Sequence, residues 1–337
     1  MDPGVMSVAG NTDNPPHSLL QVVKVGKAFP VQRSFFASSA RNVYAVREVT
    51  FELRNGETLG LVGESGCGKT TLARMIARIE KPTYGQILYR GEDIFSPRSP
   101  FYKEYRRKTQ FVFQDPYASL NPRLRAGEII SEPMIIHGRE AEAATTDRLL
   151  EMVGLSPDHR DRYPHEFSGG QRQRIVIARA LALQPEIVIA DEPVSALDVS
   201  VQAQILNLLK DLQAKFHLTY LFISHDMGVI RFMSDRVAVM YAGRIVEMGS
   251  NEQIFLSACH PYTRMLMAAV PRLDHSGSEL KRDGLVSEGM TAARDGQGCA
   301  FHPRCPEAAA VCRRETPAMR IVTEGHFFSC HLNINLA

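Results

Sequence analysis

Gly63-Glu-Ser-Gly-Cys-Gly-Lys69-Thr70 packs three glycines, a lysine and a threonine into eight residues. Glycines let backbone N–H groups turn towards an anion. The lysine adds a cation, and the hydroxyl beside it suits a hard divalent metal. The spacing is that of a phosphate-binding loop, G-x-x-x-x-G-K-[ST]. A chance glycine-rich turn would need no particular flanks. Here the apolar run Leu59–Val62 predicts a strand before the loop, and a helix is expected from about Lys69 to Ile79, stopped by Pro82. On this reading Gly63, Glu64, Ser65, Gly66, Cys67, Gly68, Lys69, Thr70 and Thr71 surround the phosphates of a nucleotide. Lys69 bridges the β- and γ-phosphates, and Thr70 ligates Mg²⁺. The helix N-terminus adds positive potential.

A second constellation follows the apolar strand Ile187–Ala190, which delivers Asp191 to a strand end, where open α/β sheets bind ligands. Asp191 is a candidate Mg²⁺ ligand, and Glu192 could polarise an attacking water. A carboxylate pair capping the next turn is the competing reading. Ser168-Gly-Gly-Gln171 precedes a helical run, so Ser168 is a candidate N-cap, and Gly169 and Gly170 leave N–H groups bare. A flexible capped turn would look the same. Two phosphate cradles in one chain point to a nucleotide shared between two chains. His225, after a strand ending at Ser224, is either a γ-phosphate contact or a structural histidine. Gln114 is either a Mg²⁺ or water ligand or an ordinary strand-end residue. Phe29 is either a stacking platform for adenine or a core residue.

The elements that must position these groups read as a doubly wound α/β core, with strands alternating with helices. Strands are expected at Leu20–Val25, Val49–Leu53, Ile87–Tyr89, Ile187–Ala190 and Tyr220–Ile223, and helices at Gln171–Leu183 and about 201–216. Residues 116–167 are mostly helical in pattern. Arg236–Met240 and Arg244–Glu247 form a hairpin around Ala242-Gly243. The chain has 337 residues, 44% of them hydrophobic, and a formal net charge of only +2, which gives no electrostatic case for a nucleic-acid partner. No apolar run approaches the roughly 18–20 residues of a membrane span. The start of the chain lacks the pattern of a secretory signal. The protein is therefore expected in the cytosol, with any membrane role supplied by a partner.

The order of these motifs resembles the ATPase of ABC transporters from Leu19 to Gly249. It runs through the phosphate loop, Gln114, Ser168–Gln171, Asp191-Glu192, Ser195-Ala-Leu-Asp198 and Ser224-His225-Asp226. The resemblance implies a RecA-like core, an antiparallel β subdomain and a helical subdomain. It makes Ser168–Gln171 the family signature, places Asp198 in the loop that crosses the dimer interface, and puts Phe29 at the adenine-stacking position, with Tyr44 a nearby rival. Phe113–Pro122, Arg162–Arg174, Ala190–Asp198 and His260-Pro-Tyr-Thr263 are similar to ATPase subunits of dipeptide and oligopeptide importers. Phe29-Pro-Val31 and Gly63–Gly68 look more like the F-type than the D-type subunit.

The resemblance implies ATP hydrolysis that energises peptide import. The implied partners are a D-type ATPase, two transmembrane permease subunits and an extracytoplasmic peptide-binding protein, with this chain on the cytoplasmic face of the inner membrane. Nickel or glutathione cargo, or a soluble non-transport ABC ATPase, are the other readings. Residues 1–17 are expected to be a disordered tail, 18–259 the nucleotide-binding domain, and 260–337 a C-terminal extension that contains a linker from Asp274 to Gln297 and the cysteine-bearing segment.

Cys299, Cys305, Cys312 and Cys330 are spaced C-x5-C-x6-C-x17-C. Four thiolates could hold a [4Fe–4S] cluster or a tetrahedral zinc, and the spacing does not choose. Resemblance to the tail of peptide-importer ATPases implies the [4Fe–4S] cluster. His302 and His331 could substitute as ligands; Cys67 and Cys259 are not expected to be ligands.

Overall fold

The computed structural model describes residues 18–30, 42–96, 101–269 and 297–332. The expected tail over 1–17 and nearly all of the expected linker lie outside these residues. Strands β1 (Ser18–Pro30), β2 (Asn42–Arg54), β3 (Thr58–Val62), β4 (Tyr84–Tyr89), β5 (Glu92–Asp93), β6 (Thr109–Val112), β7 (Ile187–Asp191), β8 (Thr219–Ser224), β9 (Arg236–Tyr241), β10 (Arg244–Ser250), β11 (Met319–Thr323) and β12 (His326–Ser329) form two sheets. The antiparallel sheet has the order β2-β1-β4-β5. The larger sheet runs β11-β12-β10-β9-β3-β8-β7-β6. From β9 to β6 its strands are parallel, and β10, β12 and β11 extend it antiparallel.

The parallel strands are apolar at successive residues because both faces are covered. Ile187 and Ile189 of β7 face one core; Val188 and Ala190 face the other. On one side lie α1 (Lys69–Ile76), α2 (Tyr102–Lys108) and the antiparallel sheet. On the other lie α3 (Pro116–Ser119), α4 (Ala126–Ile136), α5 (Ala143–Met152), α6 (Gly169–Leu181), α7 (Val199–Phe216) and α8 (Met227–Met233). A sheet thus takes much of the place that a doubly wound fold gives to helices. The helical stretch over 116–167 resolves into α3 to α5 and two 3-10 turns.

One expectation changes. α1 ends at Ile76, well before Pro82. Arg78 adopts a left-handed φ of 58°, and the N–H groups of Ile79 and Glu80 both fold back to the Arg74 carbonyl, so backbone capping stops the helix before proline can. The cysteine-bearing segment returns to the large sheet, β12 pairing with β10 and β11 forming the outer edge.

A fully buried carboxylate fastens this return. Glu247 of β10 accepts hydrogen bonds from the N–H groups of Cys259 (2.7 Å) and His260 (2.9 Å). His326 Nε2 of β12 donates to it at 2.8 Å. After α9 (Asn251–Leu256) comes α10 (Pro261–Ala268), with His260 as its N-cap. Burial holds His260 down at a pKa of about 4, so near neutral pH its Nδ1 is an uncharged acceptor for the Tyr262 N–H. Glu247→Ala leaves three buried donors without a partner. It is expected to lower stability by about 3 kcal/mol or more, read as a shift of the urea midpoint.

Candidate nucleotide-binding and catalytic site

Val62 ends a wholly buried strand, and the chain then turns through Gly63, Gly66 and Gly68 at φ values of 157°, 76° and 111°. Only glycine fits at two of these. A β-carbon at Gly63 would lie 2.1 Å from the Met240 carbonyl oxygen, and one at Gly68 would lie 2.2 Å from that of Ala45. Lys69 opens α1 and is buried. Its Nζ donates to the carbonyls of Gly63 (2.7 Å) and Glu64 (3.0 Å), so the cation sits inside the ring of its own loop. Cys67 lies beneath, its thiol pKa raised by burial.

Thr70 Oγ1 donates to Asp191 Oδ1 at 3.3 Å, joining the start of α1 to the end of β7. Both line a cleft with Arg74, Gln114, Glu132 and Arg179. Burial raises the pKa of Asp191 and the charge of Glu192 adds to it, against the Thr70 hydrogen bond and the charge of Lys69. Glu192 itself stands at φ 50°, a conformation costly for a residue with a side chain, and its N–H is tied to the Ile223 carbonyl at 2.9 Å. Its carboxylate is held from both sides, by Gln114 Nε2 at 3.0 Å and His225 Nδ1 at 3.1 Å. Three neighbouring parallel strands, β6, β7 and β8, therefore bring Gln114, Asp191-Glu192 and His225 to one end of the sheet.

Ser168 is the N-cap of α6. Its hydroxyl accepts from the Gln171 N–H at 3.3 Å, and the Gln171 side chain accepts from the Ser168 N–H at 3.0 Å. Gly170 packs where a β-carbon would meet Val201 Cγ1 at 2.5 Å. Asp198 is the N-cap residue of α7 without a side-chain cap bond. Among the described residues no hydrogen bond or ion pair joins Ser168–Gln171 or Asp198 to residues 63–71 of the same chain. Phe29 is the next-to-last residue of β1, exposed and paired with Val43, beside the Ala28–Tyr44 pair.

Two loop contacts escaped the sequence reading. The Glu64 N–H donates to the Tyr262 hydroxyl at 2.9 Å, and the Glu64 carboxylate forms a two-pronged pair with Arg304. No local pattern marks Arg304, and the His260–Thr263 motif that contains Tyr262 does not by itself show which loop the tyrosine reaches.

Residues 46–195 match the ABC transporter family, and residues 246–312 match the C-terminal region of oligopeptide/dipeptide transporters. The chain is 48% identical over 321 residues to the oligopeptide transport ATP-binding protein AppF of Bacillus subtilis, covering 94% of this chain and 97% of AppF. This chain belongs to the ATP-binding proteins of the ABC oligopeptide/dipeptide transporter family. Its likeness to the dipeptide transport ATP-binding protein DppF of Escherichia coli is 47% over 305 residues, covering 90% and 91% of the two chains. The ABC fold is shared with a solved structure of the ATP-binding cassette MJ0796, dimeric, in a post-hydrolysis state bound to ADP and Pi. The TM-score is 0.60 at 30% identity, over 69% of this chain and 98% of that one. As an ABC ATPase, the chain hydrolyses ATP.

Ionised Asp191 weakens the unliganded fold. Below the ordinary aspartate range both folded and unfolded states hold the proton, and the cost is nil. It grows as pH rises and is complete above the raised native value. Asp191→Asn is therefore expected to stabilise the chain in EDTA by roughly 0.5–2 kcal/mol at pH 7. Urea denaturation should show the gain shrinking towards pH 4.

Proposed function

We propose that this chain energises import of dipeptides or oligopeptides through an ABC transporter. The observation that carries the catalytic half is the convergence of Gln114, Glu192 and His225 beside Lys69, Thr70 and Asp191. The peptide cargo rests on the relatives, which transport oligopeptides and dipeptides.

ATP lies along residues 63–71, with its adenine on Phe29. Lys69 leaves the Gly63 and Glu64 carbonyls and turns to the β- and γ-phosphates. Thr70, Asp191 and Gln114 offer oxygen donors in one cleft, a hard set that fits Mg²⁺, which when bound offsets phosphate charge. Glu192, fixed by its neighbours, orients the attacking water and draws off its proton. His225 contacts the γ-phosphate. The second half of the site comes from the partner ATPase's signature motif, as this chain's Ser168, Gly169, Gly170 and Gln171, with Asp198, complete the partner's site. In Ser168 the cap bond uses the hydroxyl oxygen as acceptor, leaving its proton for a phosphate. The partner ATPase is of D-type, and a peptide-binding protein delivers cargo from outside.

Closure reaches the permeases through Gln114–Asn121, a segment that carries exposed Tyr117. No helix among the described residues is long and apolar enough to cross a membrane. The two permease subunits hold the chain on the cytoplasmic face of the inner membrane.

The four tail cysteines hold a [4Fe–4S] cluster, with zinc as the alternative. All four are free thiols, three buried and Cys305 half-buried. Burial comes first in raising the pKa values of Cys299, Cys305 and Cys330, and the neighbouring thiols add to it. The Cys299 N–H donates to the Cys312 carbonyl at 2.8 Å, bringing two of the cysteine turns together. His302 Nδ1 and His331 Nε2 are each engaged with a backbone carbonyl, and each keeps its other ring nitrogen outside that contact. A bound cluster would cross-link the turns that carry them.

Glu192→Gln is expected to keep ATP binding and lower turnover of the reconstituted transporter by about 100-fold or more. Turnover within a few-fold of wild type would remove Glu192 from this role. Anaerobically purified protein is expected to be brown, with about four irons per chain. Colourless protein with one zinc per chain would instead assign zinc.

A further inference from the structure

Glu64 is the one acidic side chain between Gly63 and Thr71. A carboxylate there works against the loop's chemistry, because it repels a polyphosphate. The C-terminal segment supplies the counter-charge. Arg304 Nη1 and Nη2 donate to Glu64 Oε2 and Oε1 at 2.7 and 2.8 Å, a fork-to-fork pair that fixes both groups.

The guanidinium is placed by an aromatic wall. Tyr241 of β9, Tyr262 of α10 and Phe301 of the cysteine-bearing segment meet with ring centroids 4.7, 5.2 and 5.4 Å apart. Arg304 Cζ stands 5.9 Å from the rings of both Tyr241 and Phe301. The same wall grips the loop's main chain through the bond from the Glu64 N–H to the Tyr262 hydroxyl. Side chain and backbone of one loop residue are thus held by residues far along the chain.

We propose that Arg304 is a positioning residue of the nucleotide site, which neutralises Glu64 and keeps the phosphate loop receptive to ATP. This rests on the reading of residues 63–71 as the ATP site. Arg304 lies between Cys299 and Cys305, so docking of the cysteine-bearing segment and binding of nucleotide strengthen each other, by reciprocity of coupled sites.

The test is an equilibrium titration of the purified full chain with mant-ATP and Mg²⁺. Arg304→Ala is expected to weaken binding about five- to tenfold, the lower part of the range for coupled sites. The double variant Glu64→Gln/Arg304→Ala is expected to return to within about twofold of wild type, because no bare carboxylate remains. A purely structural role in docking the tail would not be rescued by glutamine at position 64. Arg304→Ala binding within twofold of wild type overturns the proposal, as does a double variant no tighter than Arg304→Ala. Should Arg304→Ala fail to fold, Glu64→Gln alone decides: it leaves an extra cation beside the phosphates and must bind at least as tightly as wild type, and weaker binding overturns the proposal. Wild-type protein that does not bind mant-ATP would instead sink the ATP-site reading itself.

Discussion

The carbonyl oxygens of Met240 and Ala45 leave no room for a β-carbon at Gly63 and Gly68, and the phosphate loop exists in the space that exclusion defines. The loop is wedged between the end of β9 and the edge of β2, and both walls are tied to it. Ala242 and Gly243 turn the β9–β10 hairpin with φ values of 45° and 85°, the left-handed pair that a two-residue hairpin turn needs. From that turn the Gly243 N–H donates to the Cys67 carbonyl at 2.8 Å, and the Gly243 carbonyl accepts from the Arg47 N–H at 2.7 Å. One tight turn thus fastens the loop, the central sheet and the antiparallel sheet. A loop so confined holds its shape without help from a ligand, which is what a preorganised binding loop requires.

The same sheet sets the chemistry at its other strand ends. Because β6, β7 and β8 are parallel, their C-terminal ends lie on one side, and Gln114, Asp191-Glu192 and His225 meet there without any long-range folding-back of loops. That placement is costly. Asp191 is a buried carboxylate, and Glu192 holds a left-handed backbone conformation. Neither feature helps the unliganded fold. Both are maintained by the bonds around them, above all the Glu192 N–H on Ile223 and the two side chains on its carboxylate. Strain gathered at a cluster of polar strand ends, inside an otherwise apolar sheet, is the mark of a site kept for reaction.

What could be read from the sequence was local. The phosphate loop, the Ser168 cap, the hairpin at Ala242-Gly243 and the buried strands each carry their signal within a dozen residues, in glycine spacing, capping types or unbroken apolarity. Apart from the end of α1, the signals that failed were the non-local ones. Pro82 looked like the stop of α1, but Arg78 ends the helix earlier by a backbone conformation that arginine does not advertise. β11 is an edge strand with Ile321 largely exposed, so it shows no apolar face from which pairing could be inferred. The bonds of Glu64 to Tyr262 and Arg304 cross about 200 residues of chain or more. Pair contacts of that span leave no periodic trace in one sequence.

Those non-local bonds form a connected series from the tail to the loop at Glu64. His326 on β12 and Glu247 on β10 share a buried hydrogen bond, and Glu247 also anchors the N–H groups of Cys259 and His260. His260, kept neutral by burial, caps α10 at the Tyr262 N–H. Tyr262 then holds the Glu64 N–H, while Arg304 holds the Glu64 carboxylate. Every link but the exposed Arg304–Glu64 pair is a hydrogen bond from a buried or half-buried group, so breaking one of those leaves a neighbour unsatisfied rather than solvated. An appendage tethered for its own stability would need only the Glu247 anchor. The further grip on a loop residue, on both its backbone and its charge, makes the geometry of the phosphate loop a property of the extension as much as of β3 and α1.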